Sequence, residues 1–105
     1  MVHLIPFVIL LLTCLASSAQ TVVSGKVKDN KGRPLQGASI SIKDSYDGGT
    51  SDSLGNYRFT TTEKGAQTLL VTSIGFKLFE QSITISGNAL TIDVSLKEEP
   101  NELTA

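Results

Sequence analysis

The sequence has one cysteine, one histidine, one methionine and no tryptophan in 105 residues. Cys14, His3 and Met1 all fall within the first nineteen positions, which also lack Lys, Arg, Asp and Glu. From Gln20 onward there is neither Cys nor His. That excludes Cys/His nucleophilic catalysis, His general acid–base chemistry and His/Cys zinc sites. Charge of one sign is also missing, because nine Lys+Arg stand against ten Asp+Glu. A net charge of −1 offers no basic field for nucleic acid and no polybasic patch for a membrane surface. The chain therefore reads as one small domain that is not an enzyme, with no catalytic, cofactor-binding or metal-binding residue assigned.

Residues 1–19 read as a secretory signal peptide. Leu4 to Leu15 is an apolar run broken by Pro6 and Thr13, and as a helix it spans only ~18 Å, well short of the ~30 Å hydrocarbon core. Ser17 and Ala19 supply the small side chains a signal peptidase requires, placing cleavage before Gln20. Met-Val-His carries no Lys or Arg, so the amino terminus alone is positive there. Leu11-Leu12-Thr13-Cys14 offers an alternative, lipidation at Cys14, although Thr13 is bulkier than the residue that usually precedes a lipidated cysteine. Otherwise Cys14 is one more apolar residue of a discarded peptide.

Beyond Gln20 the helical period is absent and a period of two is present. Val23 and Val27 share one face of Thr21 to Asp29, and Ser24, Lys26 and Lys28 the other. Asp29-Asn30-Lys31-Gly32-Arg33-Pro34 is a turn. Ala38, Ile40 and Ile42 then alternate with Ser39, Ser41 and Lys43. A short strand is expected at Gly49 to Ser51, a turn at Asp52-Ser53-Leu54-Gly55, and a strand at Asn56 to Thr61 with Tyr57 and Phe59 inward and Arg58 outward. Gln67 to Phe76 has apolar residues at both parities, which suits a central strand buried on both faces or one ending in a bend at Gly75. Lys77 to Ile85 and Leu90 to Lys97 complete the set, the last with Leu90, Ile92, Val94 and Leu96 in phase. Seven such strands at this spacing predict an all-β, antiparallel Greek-key sandwich. Its core is formed by inward Ile, Val, Leu, Phe and Tyr, and no disulfide is needed at this size. Residues 98–105 show no alternation, and Pro100 ends ladder pairing, so they read as a linker.

The blocks V-x-G-K-V-x-D (Val23 to Asp29), N-x-G-x-P-L-x-G-A (Asn30 to Ala38), I-x-I-K (Ile40 to Lys43), G-T-x-x-D-x-x-G-N-Y (Gly49 to Tyr57) and S-I-G-F (Ser73 to Phe76) resemble the carboxypeptidase regulatory-like domain. The resemblance covers about Val22 to Lys97 and implies a seven-stranded, transthyretin-like sandwich over residues 20–97. The sequence departs from the pattern at Ser73, where receptors often carry an aromatic, and in the longer Asp44 to Gly48 connection. A signal peptide followed by one such domain is similar to the front of a SusC-like TonB-dependent outer-membrane receptor. That implies a non-catalytic accessory domain on the periplasmic side of the outer membrane, supporting energised nutrient uptake. Its partners would be an energy-transducing TonB-type protein or the receptor's own plug and barrel, with residues 98–105 leading towards that plug. No nucleic acid or small-molecule substrate is expected on this domain. The alternative is a free-standing secreted module that binds carbohydrate or protein.

The remaining polar candidates each have a plain structural explanation. Asp44, Asp47, Asp52 and Asn56 lie close in sequence but form no Asp-x-Asp-x-Asp-Gly calcium loop, so they read as turn residues, with Asp52 able to bond nearby backbone amides. Tyr46 is a single loop aromatic, whereas a sugar platform needs two or more on one face. Lys64 with Ser53 or Ser73 has no spacing that supports a Ser/Lys nucleophile. Lys26, Lys28, Lys43 and Arg58 fall on outward parities and read as a solvated sheet face.

Overall fold

The computed structural model describes residues 19–99. The expected signal peptide up to residue 18, with Cys14, and most of the expected linker therefore lie outside the described residues. Among the described residues eight strands form two sheets: β1 (Thr21–Asp29), β2 (Ser39–Ile42), β3 (Gly48–Thr50), β4 (Asn56–Thr61), β5 (Gly65–Thr72), β6 (Phe79–Ile85), β7 (Leu90–Thr91) and β8 (Val94–Leu96). The first sheet has the order β4-β1-β7, with β8 also pairing β1, and the second has the order β3-β2-β5-β6. No helix occurs among the described residues, and the all-β sandwich expected from the period of two is what the chain adopts.

The core lies between the sheets and follows the alternation. β4 buries Tyr57, Phe59 and Thr61 and exposes Asn56, Arg58 and Thr60. Tyr57 and Phe59 stack with ring centroids 6.2 Å apart. Across the second sheet, Ile40 opposes Val71 and Ile42 opposes Leu69, all four side chains fully buried. These same-face cross-strand pairs are the units that hold a sheet together.

Two particulars differ from the sequence reading. The last strand is broken at Ile92–Asp93, which makes eight strands rather than seven. The cause lies across the sheet. The Ile92 amide donates to the Ser24 carbonyl at 2.8 Å, and the Lys26 amide donates to Asp93 Oδ1 at 3.0 Å, so a side chain replaces the ladder acceptor there. The pairing is also not wholly antiparallel, because β7 and β8 run parallel to β1. The chain crosses from β6 to the first sheet at the end where β1 begins, and must then run in the direction of β1. For Gln67 to Phe76, the strand that ends in a bend at Gly75 is the alternative adopted: Leu69 and Val71 are buried, Leu70 is half-buried on the outer face, and the strand stops at Thr72.

The turn after β1 is built around Asp29, which is buried at the strand end. Its Oδ1 accepts the Lys31 amide at 2.8 Å and the Arg33 amide at 2.9 Å, and its Oδ2 accepts Arg33 Nε at 2.7 Å. The Arg33 amide above all, then the Arg33 side chain and the Lys31 amide, holds the carboxyl below its ordinary value of 3.8, against the opposing effect of burial. A depressed folded-state value contributes stability at pH above 3.8, and that contribution is lost as pH falls through the folded-state value. Asp29→Asn, which sets an amide against Arg33, is therefore expected to lower the urea midpoint at pH 7. The gap between variant and parent should narrow when both are measured near pH 2.5.

Candidate interaction surface

The loops gather at two ends of the sandwich. At one end, Leu35 N donates to the Val27 carbonyl at 3.0 Å, Val27 N to the Gly55 carbonyl at 2.8 Å, and Gly37 N to the Ser51 carbonyl at 3.0 Å. Ser51 is buried there. Its hydroxyl accepts the Ala38 amide at 2.9 Å and donates to the Leu35 carbonyl at 2.7 Å, which ties β3 to the approach of β2. The outgoing chain is fastened to the same end: Lys77 N donates to the Lys97 carbonyl at 2.8 Å and Glu99 N to the Gly75 carbonyl at 3.0 Å. Arg33, already bonded to Asp29, also lies 3.6 Å from Glu98. The incoming chain is at the opposite end, where Lys64 Nζ reaches the Ala19 carbonyl at 3.2 Å and Thr21 Oγ1 at 3.4 Å. Parallel pairing of the first and last strands produces this polarity, since parallel neighbours begin at one end and finish at the other.

This polarity separates the polar residues that sequence proximity had grouped. Asp47 precedes β3 at the incoming end, where its Oδ2 accepts the Thr61 hydroxyl at 2.6 Å. Asp44 sits in the same loop with φ of 64°. Asp52 and Asn56 are at the outgoing end, where Asp52 Oδ1 accepts the amides of Leu54 at 3.0 Å and Asn56 at 2.9 Å. Among the described residues, no three His, Cys, Asp or Glu side chains converge on a metal position. Lys64 is at the incoming end and Ser53 and Ser73 at the outgoing end, so the structure does not bring that group together. Lys28, Lys43 and Arg58 are exposed and Lys26 is half-buried. Tyr46 is fully exposed at the incoming end. Tyr57 is inside, its hydroxyl donating to the Ile92 carbonyl at 2.7 Å. Burial foremost, and then the charge of Asp93, pushes its pKa up to about 12.

What stands out at the outgoing end is apolar. Ile74 is fully exposed, and Leu54 and Leu78 are more than half exposed. Sequence reading placed Ile74 on a strand. The Phe76 amide donating to the Ser73 carbonyl at 3.1 Å, with Gly75 at φ +88°, instead puts Ile74 at the second position of a tight turn. The signal was the glycine directly after it, since such a turn requires positive φ at its third position. Gly25 was the other missed residue. It permits close approach of the last strand, the usual reason for glycine inside a strand.

The domain is similar to several solved structures. An N-terminal interface mutant of a type II Cohesin-X-Dockerin complex from Acetivibrio cellulolyticus matches with a TM-score of 0.65 at 15% identity, over 74% of this chain and 58% of that one. The major pilin subunit of Bacillus cereus matches with a TM-score of 0.61 at 18% identity, over 78% of this chain and 30% of that one. Chlorocatechol 1,2-dioxygenase from Pseudomonas putida matches with a TM-score of 0.61 at 15% identity, over 76% of this chain and 61% of that one. The chain thus spans less than two thirds of each of these proteins. At such identities the likeness is one of fold, and no activity passes with it. No curated protein matches the sequence. The family model for the CarboxypepD_reg-like domain does match, over residues 23–105, and the chain belongs to that family of regulatory-like β-sandwich domains.

Proposed function

We propose that this is the non-catalytic accessory domain of a TonB-dependent outer-membrane transporter, exported by a cleaved signal peptide and standing in the periplasm ahead of a plug and barrel. The observation that carries the reading is the polarity of the sandwich. The chain comes in at one end and leaves at the other, and its way out is fixed by the backbone bonds of Lys77 and Glu99. A domain with that geometry transmits position along a chain as a stiff spacer, beside the exposed Ile74. Family membership supports the accessory role, and no catalytic turnover is assigned to any of its residues. Substrate choice then belongs to the barrel, the plug and a surface partner.

The test is deletion of residues 20–97 from the full-length protein, with outer-membrane insertion checked by fractionation. Uptake is expected to fall or change while substrate binding at the cell surface stays within about twofold of the parent. Surface binding that vanishes while the barrel remains inserted would contradict the accessory role. A product recovered whole in the medium and holding a glycan by itself would favour a free-standing module instead.

A further inference from the structure

We propose that β6 is a self-complementary edge through which two copies of this chain pair antiparallel about Ser82, joining their second sheets into one eight-stranded sheet. The inference is independent of the transport reading, and starts from how the four sheet edges are finished. Natural sheets blunt their edges with short strands, bulges, prolines or lysines, because an exposed row of backbone donors and acceptors invites another strand. β3 has three residues, and β7 and β8 have two and three, with the Ile92–Asp93 break between them. β4 is flanked by β3, where a side chain on Gly49 would stand only 3.2 Å from the Arg58 carbonyl. β6 is different. It runs for seven residues, Phe-Glu-Gln-Ser-Ile-Thr-Ile, with no Pro, Gly or Lys and a single charge at Glu80. Among the described residues it pairs with β5 on one side and with nothing on the other.

The sequence of this edge selects the occupant. Antiparallel pairing centred on Ser82 is the register that uses all seven residues. It sets Phe79 opposite Ile85, Glu80 opposite Thr84, Gln81 opposite Ile83, and Ser82 opposite itself. Directly opposed residues share a face, so on the core side Phe79 of each copy meets Ile85 of the other, and Ile83 meets Gln81, which lies on that face but is exposed. The exposed Glu80, Ser82 and Thr84 meet on the solvent side. The only charge on the strand faces a hydroxyl, whereas centring on Glu80 would oppose two carboxylates. A shift of one residue would set core positions against solvent positions. A two-fold pairing of this kind uses each β6 once and closes as a dimer.

The experiment uses the exported chain with a cysteine introduced at single exposed positions of β6 and Cys14 replaced by Ser. Opposed antiparallel residues have Cα atoms about 4.5–5.5 Å apart, within disulfide range. Ser82→Cys is therefore expected to give a disulfide-linked dimer under mild oxidation. Glu80→Cys and Thr84→Cys should each stay unlinked alone, since each is roughly 13 Å from its own counterpart, but should link to one another when mixed. Ser82→Lys, which places two like charges at the centre, is expected to weaken self-association at least tenfold in sedimentation while leaving the thermal transition unchanged. The proposal is overturned if the parent sediments as a monomer at every concentration and Ser82→Cys stays unlinked. Equally fast linking by Glu80→Cys alone, or a dimer that survives Ser82→Lys, also overturns it.

Discussion

Gly25→Val is expected to lower the melting temperature of the domain steeply, although it changes one small residue in the middle of a regular strand. A Cβ at this position would collide with the carbonyl of Ile92 and stand 3.0 Å from the Tyr57 ring. The carbonyl cannot simply retreat, because it accepts the Tyr57 hydroxyl at 2.7 Å while the neighbouring Ile92 amide is bonded to Ser24. Moving it strands a buried hydroxyl as well as displacing the last strand from β1. Overpacking of this kind costs about 3 kcal/mol or more, against a total of roughly 5–15 kcal/mol for a small domain, and corresponds to a loss on the order of 15 °C in Tm. Gly32→Ala is the control. Nothing lies within 4 Å of its added Cβ, so only the strain of φ +84° remains, expected at about 1 kcal/mol. Thermal unfolding followed by circular dichroism distinguishes the two. A Gly25→Val melt within a few degrees of the parent would show that the last strand does not cross β1 so closely.

Whatever depends on a residue's own strand was legible in the sequence. Val23 and Val27, Ile40 and Ile42, and Tyr57 and Phe59 are buried as their period of two requires. Asp52 bonds the amides of its own turn, as its short acceptor side chain favours there. What depended on the opposite strand was hidden. Thr91-Ile92-Asp93-Val94 contains no Gly or Pro, so its local sequence carries no sign of a break. The break is made by Ser24 and Lys26, which approach it only in the fold. Asp29 looked like an ordinary turn residue because its sequence neighbours are polar, and its burial follows only once β8 pairs alongside at Leu96. The distance between the Asp44–Asp47 turn and the Asp52–Asn56 turn was hidden for a related reason. A three-residue strand between them is long enough to carry the two turns to opposite ends of the sandwich.

The pair Leu69 and Leu70 turns that distinction into a measurement, because adjacent identical residues on β5 give sequence reasoning no means of ranking them. Leu69 is fully buried between the sheets, opposite Ile42. Leu70 points the other way, half-buried on the outer face between Ser41 and Glu80. Leu69→Ala removes buried methyl groups from a core that can relax only in part, and is expected to cost about 3 kcal/mol. Leu70→Ala removes atoms that already touch water, and is expected to cost less than about 1 kcal/mol. Urea unfolding of both variants checks the difference through the midpoint, with an unchanged slope as evidence that the unfolded state is the same. Equal losses would mean that the outer face of the second sheet is covered in the folded protein. β5 would then be buried on both faces, as its run of apolar residues first suggested, with part of that cover coming from beyond residues 19–99.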